Sequence, residues 1–287
     1  ANVTSGAGRP CRKLGEDEDK VVTKVLRNAA WRVVSSYPKR KISSIITGND
    51  IPLQLVSDMR AFSLEEEEYA AFGFPFKRNY LIVGPPGSGK SSMVTAAASE
   101  LDLDICYLTI TTRMTEQDIC TGIFALTDRS MLVIEDVDVI CSAARDGSSG
   151  AHAALAVLTN VLDGTLHRHG LITVLTSATP EGLDDVLVRH GRIDYTARLI
   201  TMTKQQVNDM VDARTVGSAE KKKKLTERIW NRVEGLEVSS TVLSHFLFKR
   251  RNKNIDDFTD DECAALTQGT HKLHINEGRK VSGVMYM

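Results

Sequence analysis

The chain is 287 residues long, 42% apolar and 25% charged, with a formal net charge of -1, enough for one large or two modest domains, each with its own core. That balance supplies no overall drive toward nucleic acid or an anionic membrane surface, and no window approaches the roughly 18 consecutive apolar residues of a bilayer span. Five cysteines, Cys11, Cys106, Cys120, Cys141 and Cys263, with no C-x-x-C pair, suit reduced thiols rather than a disulfide framework or a zinc site.

The chain opens on Ala1, which leaves room for a targeting segment removed upstream. Residues 1–20 are rich in glycine, serine and charge and predict a poorly ordered tail. From Val21 the character changes: the apolar residues around Val25 and Trp31 predict strand or short-helix material, with Tyr37-Pro38 as a turn. Ile42 to Gly48 predicts a strand closing at the glycine. Ile51 to Phe62 has helical apolar spacing and predicts a helix beside the site that follows, and Glu65 to Glu68 reads as a solvated helix face.

Tyr80-Leu-Ile-Val-Gly-Pro-Pro-Gly-Ser-Gly-Lys-Ser91 is an apolar run that breaks into glycines and ends on Lys-Ser. It satisfies G-x-x-x-x-G-K-[ST] with Gly84, Gly89, Lys90 and Ser91, the pattern of a strand feeding a phosphate-binding loop. Glycines let backbone N–H groups converge on phosphate oxygens, so Gly84, Pro85, Pro86, Gly87, Ser88, Gly89, Lys90, Ser91 and Ser92 are the predicted nucleotide contacts. Lys90 would reach the β- and γ-phosphates and Ser91 would ligate Mg²⁺. The alanine-rich stretch Ser92 to Leu101 predicts a helix whose N-terminus also faces the anion.

Asp104 to Ile110 predicts a second strand, Met114 to Phe124 a helix, and Arg129 to Asp138 a buried strand ending in acids. Ser142 to Gly150 reads as a small polar loop, Ala151 to Leu162 as a helix stopped by Asp163-Gly164, and Leu171–Thr176 and Tyr195–Ile200 as two more strands. This alternation predicts an α/β fold with a doubly wound parallel sheet and the site at the strands' carboxyl ends. From Thr203 three helical stretches, Lys204 to Val211, Ala219 to Val233 and Ser240 to Phe248, predict a small helical subdomain, and the residues past Arg251 a loosely attached extension. The basic clusters at Lys221–Lys224 and Lys249–Arg251 lack interleaved aromatics and read as solvated faces, not a nucleic-acid surface.

A phosphate loop needs a metal-side acid and a group that deprotonates or positions water. Glu135 and Asp136 follow Met131-Leu-Val-Ile134, where adjacent residues at a strand end can splay. Glu135 is assigned to the Mg²⁺ shell through water and Asp136 to the general base. Arg189 and Arg192 stand in Arg-His-Gly-Arg. Their guanidiniums could neutralise charge on the γ-phosphate of a neighbouring subunit, or pair with Asp184, Asp185 or Asp194; spacing leaves both readings open.

Around these motifs, residues from about Trp31 to Phe248 resemble an AAA-class ATPase of the mitochondrial BCS-type family, which translocates the folded Rieske iron–sulfur protein in respiratory complex III assembly. Gly73-Phe-Pro-Phe-Lys-Arg-Asn-Tyr80 resembles that family's Gly-Ile-Pro-Tyr-Arg-Arg-Gly-Tyr. Glu135-Asp136 stands in its order of acids, and Leu158-Thr-Asn-Val-Leu-Asp-Gly164 is similar to its Leu-Leu-Asn-Ala-Leu-Asp-Gly. Pro180 to Asp184 with Leu187 to Asp194 resembles its second region of homology. The resemblance implies a P-loop AAA core with a C-terminal helical lid, arginine-finger roles for Arg189 and Arg192, ATP and Mg²⁺ as cofactors, a homo-oligomeric ring, a protein cargo and a mitochondrial location. The family's N-terminal transmembrane helix and most of its middle domain have no counterpart in these residues. The chain also departs from the family: Ala178 fills the position of its sensor asparagine, in Thr176-Ser-Ala-Thr-Pro180, leaving Ser177 or Thr179 to replace it or turnover slow. His190 replaces a usual proline, and no aromatic-apolar-glycine pore loop follows Cys106.

The expected division is a tail over 1–20, the end of an N-terminal or middle region over 21–60, an α/β subdomain over 61–202, a helical lid over 203–250 and an extension over 251–287. The expected function is an ATP-driven ring translocase or assembly chaperone. The alternative is a nucleotide-binding structural subunit with weak hydrolysis, which Ala178 favours.

Overall fold

The computed structural model describes residues 19–27, 29–47, 50–110, 114–166, 168–199, 202–236, 238–259, 262–263 and 266. Most of the predicted N-terminal tail, Gly48, and the extension beyond 266 lie outside them.

Two strands open the described chain, β1 (Lys20–Arg27) and β2 (Ala30–Pro38), paired as an antiparallel hairpin. Tyr37-Pro38 is therefore the end of a strand, and Ala29, at φ 55°, lies in the connection. Helices α1 (Ile51–Phe62) and α2 (Glu66–Phe72) precede β3 (Lys77–Val83). The loop after β3 enters α3 (Lys90–Glu100), followed by β4 (Asp104–Tyr107), α4 (Glu116–Phe124) and β5 (Ser130–Ile134). Next come α5 (Val137–Arg145), α6 (Ser149–Asp163), β6 (Leu171–Ser177) and β7 (Tyr195–Arg198), then α7 (Lys204–Arg214), α8 (Ala219–Val233) and α9 (Ser240–Lys249).

The strands form one seven-stranded sheet in the order β2-β1-β4-β5-β6-β3-β7, parallel at every pairing except the hairpin. All positions of β5 and β6 are buried, as expected of strands covered on both faces. Alternate residues supply two cores. Tyr80, Ile82, Met131, Val133 and Val174 pack with α1 and α3, whereas Leu81, Val83, Leu132, Ile134 and Leu175 pack against α4, α5 and α6. A third core joins α7, α8 and α9 through Val207, Met210, Ile229, Leu243 and Leu247, with Ile46 packed against it.

Two expectations are overturned. The described part of the predicted strand, Ile42 to Thr47, is not a strand: Ile42–Ser44 is a short 3-10 turn. Its backbone is held by side chains of α3, with Arg40 N donating to Ser99 Oγ at 2.9 Å and Ile42 N to Glu100 Oε1 at 3.2 Å, so no ladder is needed to satisfy it. The segment becomes a strap between α3 and the lid, where Gln206 Nε2 donates to Ile46 O at 2.7 Å. Ser142 to Gly150 is not a loop either. Val137, Cys141 and Ala144 form a buried stripe that carries α5 to Arg145. Only Asp146, Gly147 and Ser148 separate it from α6, which Ser148 caps by accepting from Ala151 N at 3.4 Å.

Candidate nucleotide site

The loop from Gly84 to Gly89 sits at the carboxyl end of β3, between β6 and β7. Gly84 has no room for a side chain: a Cβ there would stand 2.8 Å from Leu199 Cβ and 2.9 Å from Leu199 O. Gly87 and Gly89 turn the loop at φ 75° and 105°, the left-handed region that glycine enters without strain. The loop thereby presents the first turn of α3, with its unpaired N–H groups and positive dipole end, to a cavity of about 360 Å³ lined by Lys90, Ser91, Glu135, Asp136, Ala178 and Thr241 among others.

Within that cavity Ser91 Oγ donates to Glu135 Oε1 at 2.5 Å. A hydroxyl and a carboxylate so close, on an exposed surface, are the hard oxygen donors that suit Mg²⁺, which takes one or two carboxylates and completes its shell with water and substrate phosphates. Among the described residues no group of three or more His, Cys, Asp or Glu could hold a metal. Lys90 Nζ donates to Gly84 O at 2.7 Å and to Pro85 O at 3.4 Å, which folds its ammonium over the loop. Asp136 is exposed and adopts φ 52°, ψ 50° at the N-cap of α5. Its backbone N–H donates to Thr176 Oγ1 at 3.1 Å, so β5 and β6 are tied together beneath the two acids.

One wall of the cavity is apolar. Ala178 lines the cavity, and its neighbours Ser177 and Thr179 are not part of that lining. Ser177 is fully buried and donates to Thr179 O at 2.7 Å, and Thr179 points toward Gly182. The Ala178 N–H is instead held by Asp138 Oδ2 at 3.2 Å, a residue the sequence reading did not single out.

The two arginines part company. Arg192 grips Asp163 with both edges of its fork, Nε to Oδ1 at 2.6 Å and Nη2 to Oδ2 at 2.7 Å, and also donates to Val186 O. That bond holds the Asp163 carboxyl below the usual carboxylate range. The partner is the Asp-Gly stop of α6 rather than Asp184, Asp185 or Asp194. Arg189 is exposed and makes no side-chain hydrogen bond or ion pair with a described residue. Its loop is pinned at the amino end of β3, where Lys77 Nζ donates to Gly191 O at 2.8 Å and Asn79 Nδ2 to Arg192 O at 2.6 Å. Six residue steps of about 3.3 Å put that end about 20 Å from the phosphate loop.

The lid also meets the loop, which sequence spacing did not reveal. Ser240 Oγ and Thr241 Oγ1 donate to Gly87 O at 3.3 and 2.9 Å, and Thr241 N reaches the same carbonyl at 3.3 Å. Nothing local marks Ser239-Ser240-Thr241 for this contact, more than 150 residues away in the chain; the pattern reads only as an N-cap.

Residues 80–201 match the family model for the ATPase family associated with various cellular activities, AAA. The chain is 35% identical over 176 residues to a probable mitochondrial chaperone bcs1 of Schizosaccharomyces pombe, covering 60% of this chain and 39% of that protein. It is equally identical, 35% over 176 residues, to the probable mitochondrial chaperone BCS1-A of Dictyostelium discoideum, covering 58% and 42%. Against the human mitochondrial chaperone BCS1 it is 31% identical over 192 residues, 63% of this chain and 45% of that one. The chain thus spans less than half the length of these curated relatives. Residues 80–201, which hold the phosphate loop and most of the parallel sheet, thus match an AAA family model, and the chain is similar to BCS1 chaperones over about 60% of its length.

Proposed function

We propose that the chain is the motor part of an ATP-driven assembly chaperone that works as a ring of identical copies on a protein cargo in the mitochondrion, as its relatives' names suggest. The observation that carries the nucleotide half of this reading is the 2.5 Å contact of Ser91 with Glu135 beside Lys90, at the mouth of a glycine loop. Mg²⁺ would be held by Ser91 and, through water, by Glu135, and would supply charge neutralisation for the phosphates. The backbone of Gly84 to Ser92 binds and orients the phosphates. Lys90 exchanges the Gly84 carbonyl for phosphate oxygens, and Asp136 accepts a proton from the attacking water at its carboxylate. Arg189 is exposed on a loop pinned at the amino end of β3, about 20 Å from its own phosphate loop, so it acts on the nucleotide of a neighbouring copy. Arg192 keeps its bond to Asp163 and fixes the loop that carries Arg189.

Ala178 favours a second reading, a subunit that holds ATP and hydrolyses it weakly, because an alanine can neither hold water nor contact a γ-phosphate. Steady-state ATPase of the assembled wild type against Asp136→Asn and Ala178→Asn separates the two. The motor reading expects wild-type turnover that falls by about 10²–10⁴-fold in Asp136→Asn, the range for losing a general base, with ATP still bound. A silent wild type that Ala178→Asn awakens would overturn it in favour of the second.

A further inference from the structure

At its amino end β3 carries two buried polar side chains, Lys77 and Asn79, which the two-residue period of a strand places on one side. They hold two successive carbonyls of a single tight turn. Lys77 Nζ donates to Gly191 O at 2.8 Å and Asn79 Nδ2 to Arg192 O at 2.6 Å. The turn is Arg189-His190-Gly191-Arg192, closed by Arg192 N donating to Arg189 O at 3.1 Å. The backbone of Arg189 is therefore fixed through the residue whose carbonyl Asn79 holds.

Asn79 does more than meet the turn. It is 1% exposed, and Nδ2 also donates to Leu162 O at 2.9 Å, in the last turn of α6, where the helix leaves its carbonyls without an intrahelical partner. Its backbone N donates to Asp194 Oδ2 at 2.7 Å, and Asp194 N donates back to Asn79 O at 2.9 Å. One residue thus ties the strand, the end of α6 and the segment that follows the turn. Its own Oδ1 is buried with no hydrogen-bond partner among the described residues. Leaving a buried acceptor unpaired is costly, so the amide contributes through its donors alone. The plainer reading is that Asn79 only caps α6.

Resting on the reading that Arg189 serves the nucleotide of a neighbouring copy, we propose that Asn79 is a positioning residue for ATP hydrolysis, which sets the Arg189 turn at a fixed place on the strand whose other end carries the phosphate loop. The Arg189 side chain is exposed and makes no hydrogen bond or ion pair with a described residue, so its aim depends on where the turn holds its backbone. A charge placed about 1 Å away from its productive position costs on the order of 10²-fold in rate. Asn79 does not line the cavity beside the phosphate loop. Its loss therefore spoils a copy as a donor of arginine and spares the same copy as a binder of nucleotide.

That asymmetry is what the experiment reads. In the assembled full chain, Asn79→Ala should lower kcat for ATP by about ten- to a hundredfold, with the calorimetric dissociation constant for ATP within about twofold of wild type. Mixed with Asp136→Asn copies, whose turn is intact, Asn79→Ala copies should recover part of the activity. Mixed with Arg189→Ala copies they should recover none, because neither supplies a working arginine. Asn79→Leu, which fills the same space without a donor, should repeat the pattern. An unchanged kcat, an ATP affinity that falls with kcat, recovery with Arg189→Ala, or failure of both Asn79 variants to assemble would each overturn the positioning role and leave Asn79 a structural cap. If Arg189→Ala and Asp136→Asn copies do not complement each other, the reading across copies itself fails. If they do, and Asn79→Ala with Asp136→Asn does not, only the positioning role fails.

Discussion

The two ends of β3 are built for opposite purposes. At the carboxyl end, the loop from Gly84 to Gly89 leaves Lys90, Ser91, Glu135 and Asp136 facing a cavity. At the amino end almost every charge is engaged: Lys77 with Gly191 O and, at 3.6 Å, with Asp194; Arg78 with both oxygens of Asp58 at 2.9 and 2.8 Å; and Arg192 with Asp163. Arg189 is the exception at that end. On the proposed reading one end of β3 binds and the other braces, and copies placed side by side in a ring would bring Arg189 of one to the loop of the next.

The sharpest way to break that contrast is to remove the exception. Arg189→Ala should lower ATP turnover of the assembly by about 10³-fold, the lower range for an arginine finger, and leave the melting temperature of the isolated chain unchanged. Mixing Arg189→Ala copies with Asp136→Asn copies should recover part of the activity, since each supplies what the other lacks. No recovery in mixed assemblies would mean that the two ends do not meet across an interface.

A smaller effect tests the binding end alone. Gly87 has φ 75°, and a Cβ would stand 2.6 Å from Ser239 Oγ on the lid. Gly87→Ala should weaken ATP binding by about tenfold, combining about 1–2 kcal/mol of left-handed strain with displacement of the lid. Gly73→Ala carries the same kind of strain at φ 71° with nothing within 4 Å. It should lower stability slightly and leave ATP affinity as it was; equal losses of affinity in the two would show that backbone strain, and not the lid contact, is what matters at Gly87.

How much of this was legible follows the range of each interaction. The sheet's central strands are continuous apolar runs, so β3, β5 and β6 stand out in the sequence, as do the loop glycines and the acid pair after Ile134. Contacts set by tertiary structure do not. Asp163 lies 29 residues from Arg192, and the nearer Asp184, Asp185 and Asp194 were the natural candidates. The strap at Ile42 to Ser44 resembles a strand because Ile42, Ile45 and Ile46 are β-branched, yet its partners are side chains of α3. The stretch from Ser142 to Gly150 looked like a loop because its residues are small and polar, although Val137, Cys141 and Ala144 recur at helical spacing.

The smallest effect probes the bracing end. Arg192→Ala removes a bidentate pair that is half open to water, with Asp163 40% exposed, so solvent screening limits the loss to about 1 kcal/mol, or about 2–4 °C in melting temperature. The pH dependence carries the signature. The hydrogen bond from Arg192 holds the Asp163 carboxyl below its ordinary value, so the pair's contribution is fully present above the unfolded carboxylate range of about 4 and is lost as pH falls through the depressed folded value. The melting gap between wild type and Arg192→Ala should therefore stay constant from about pH 8 to pH 5 and narrow below about pH 4. A gap that persists in acid would mean that the Val186 carbonyl, not Asp163, is the partner that holds the arginine and its loop in place.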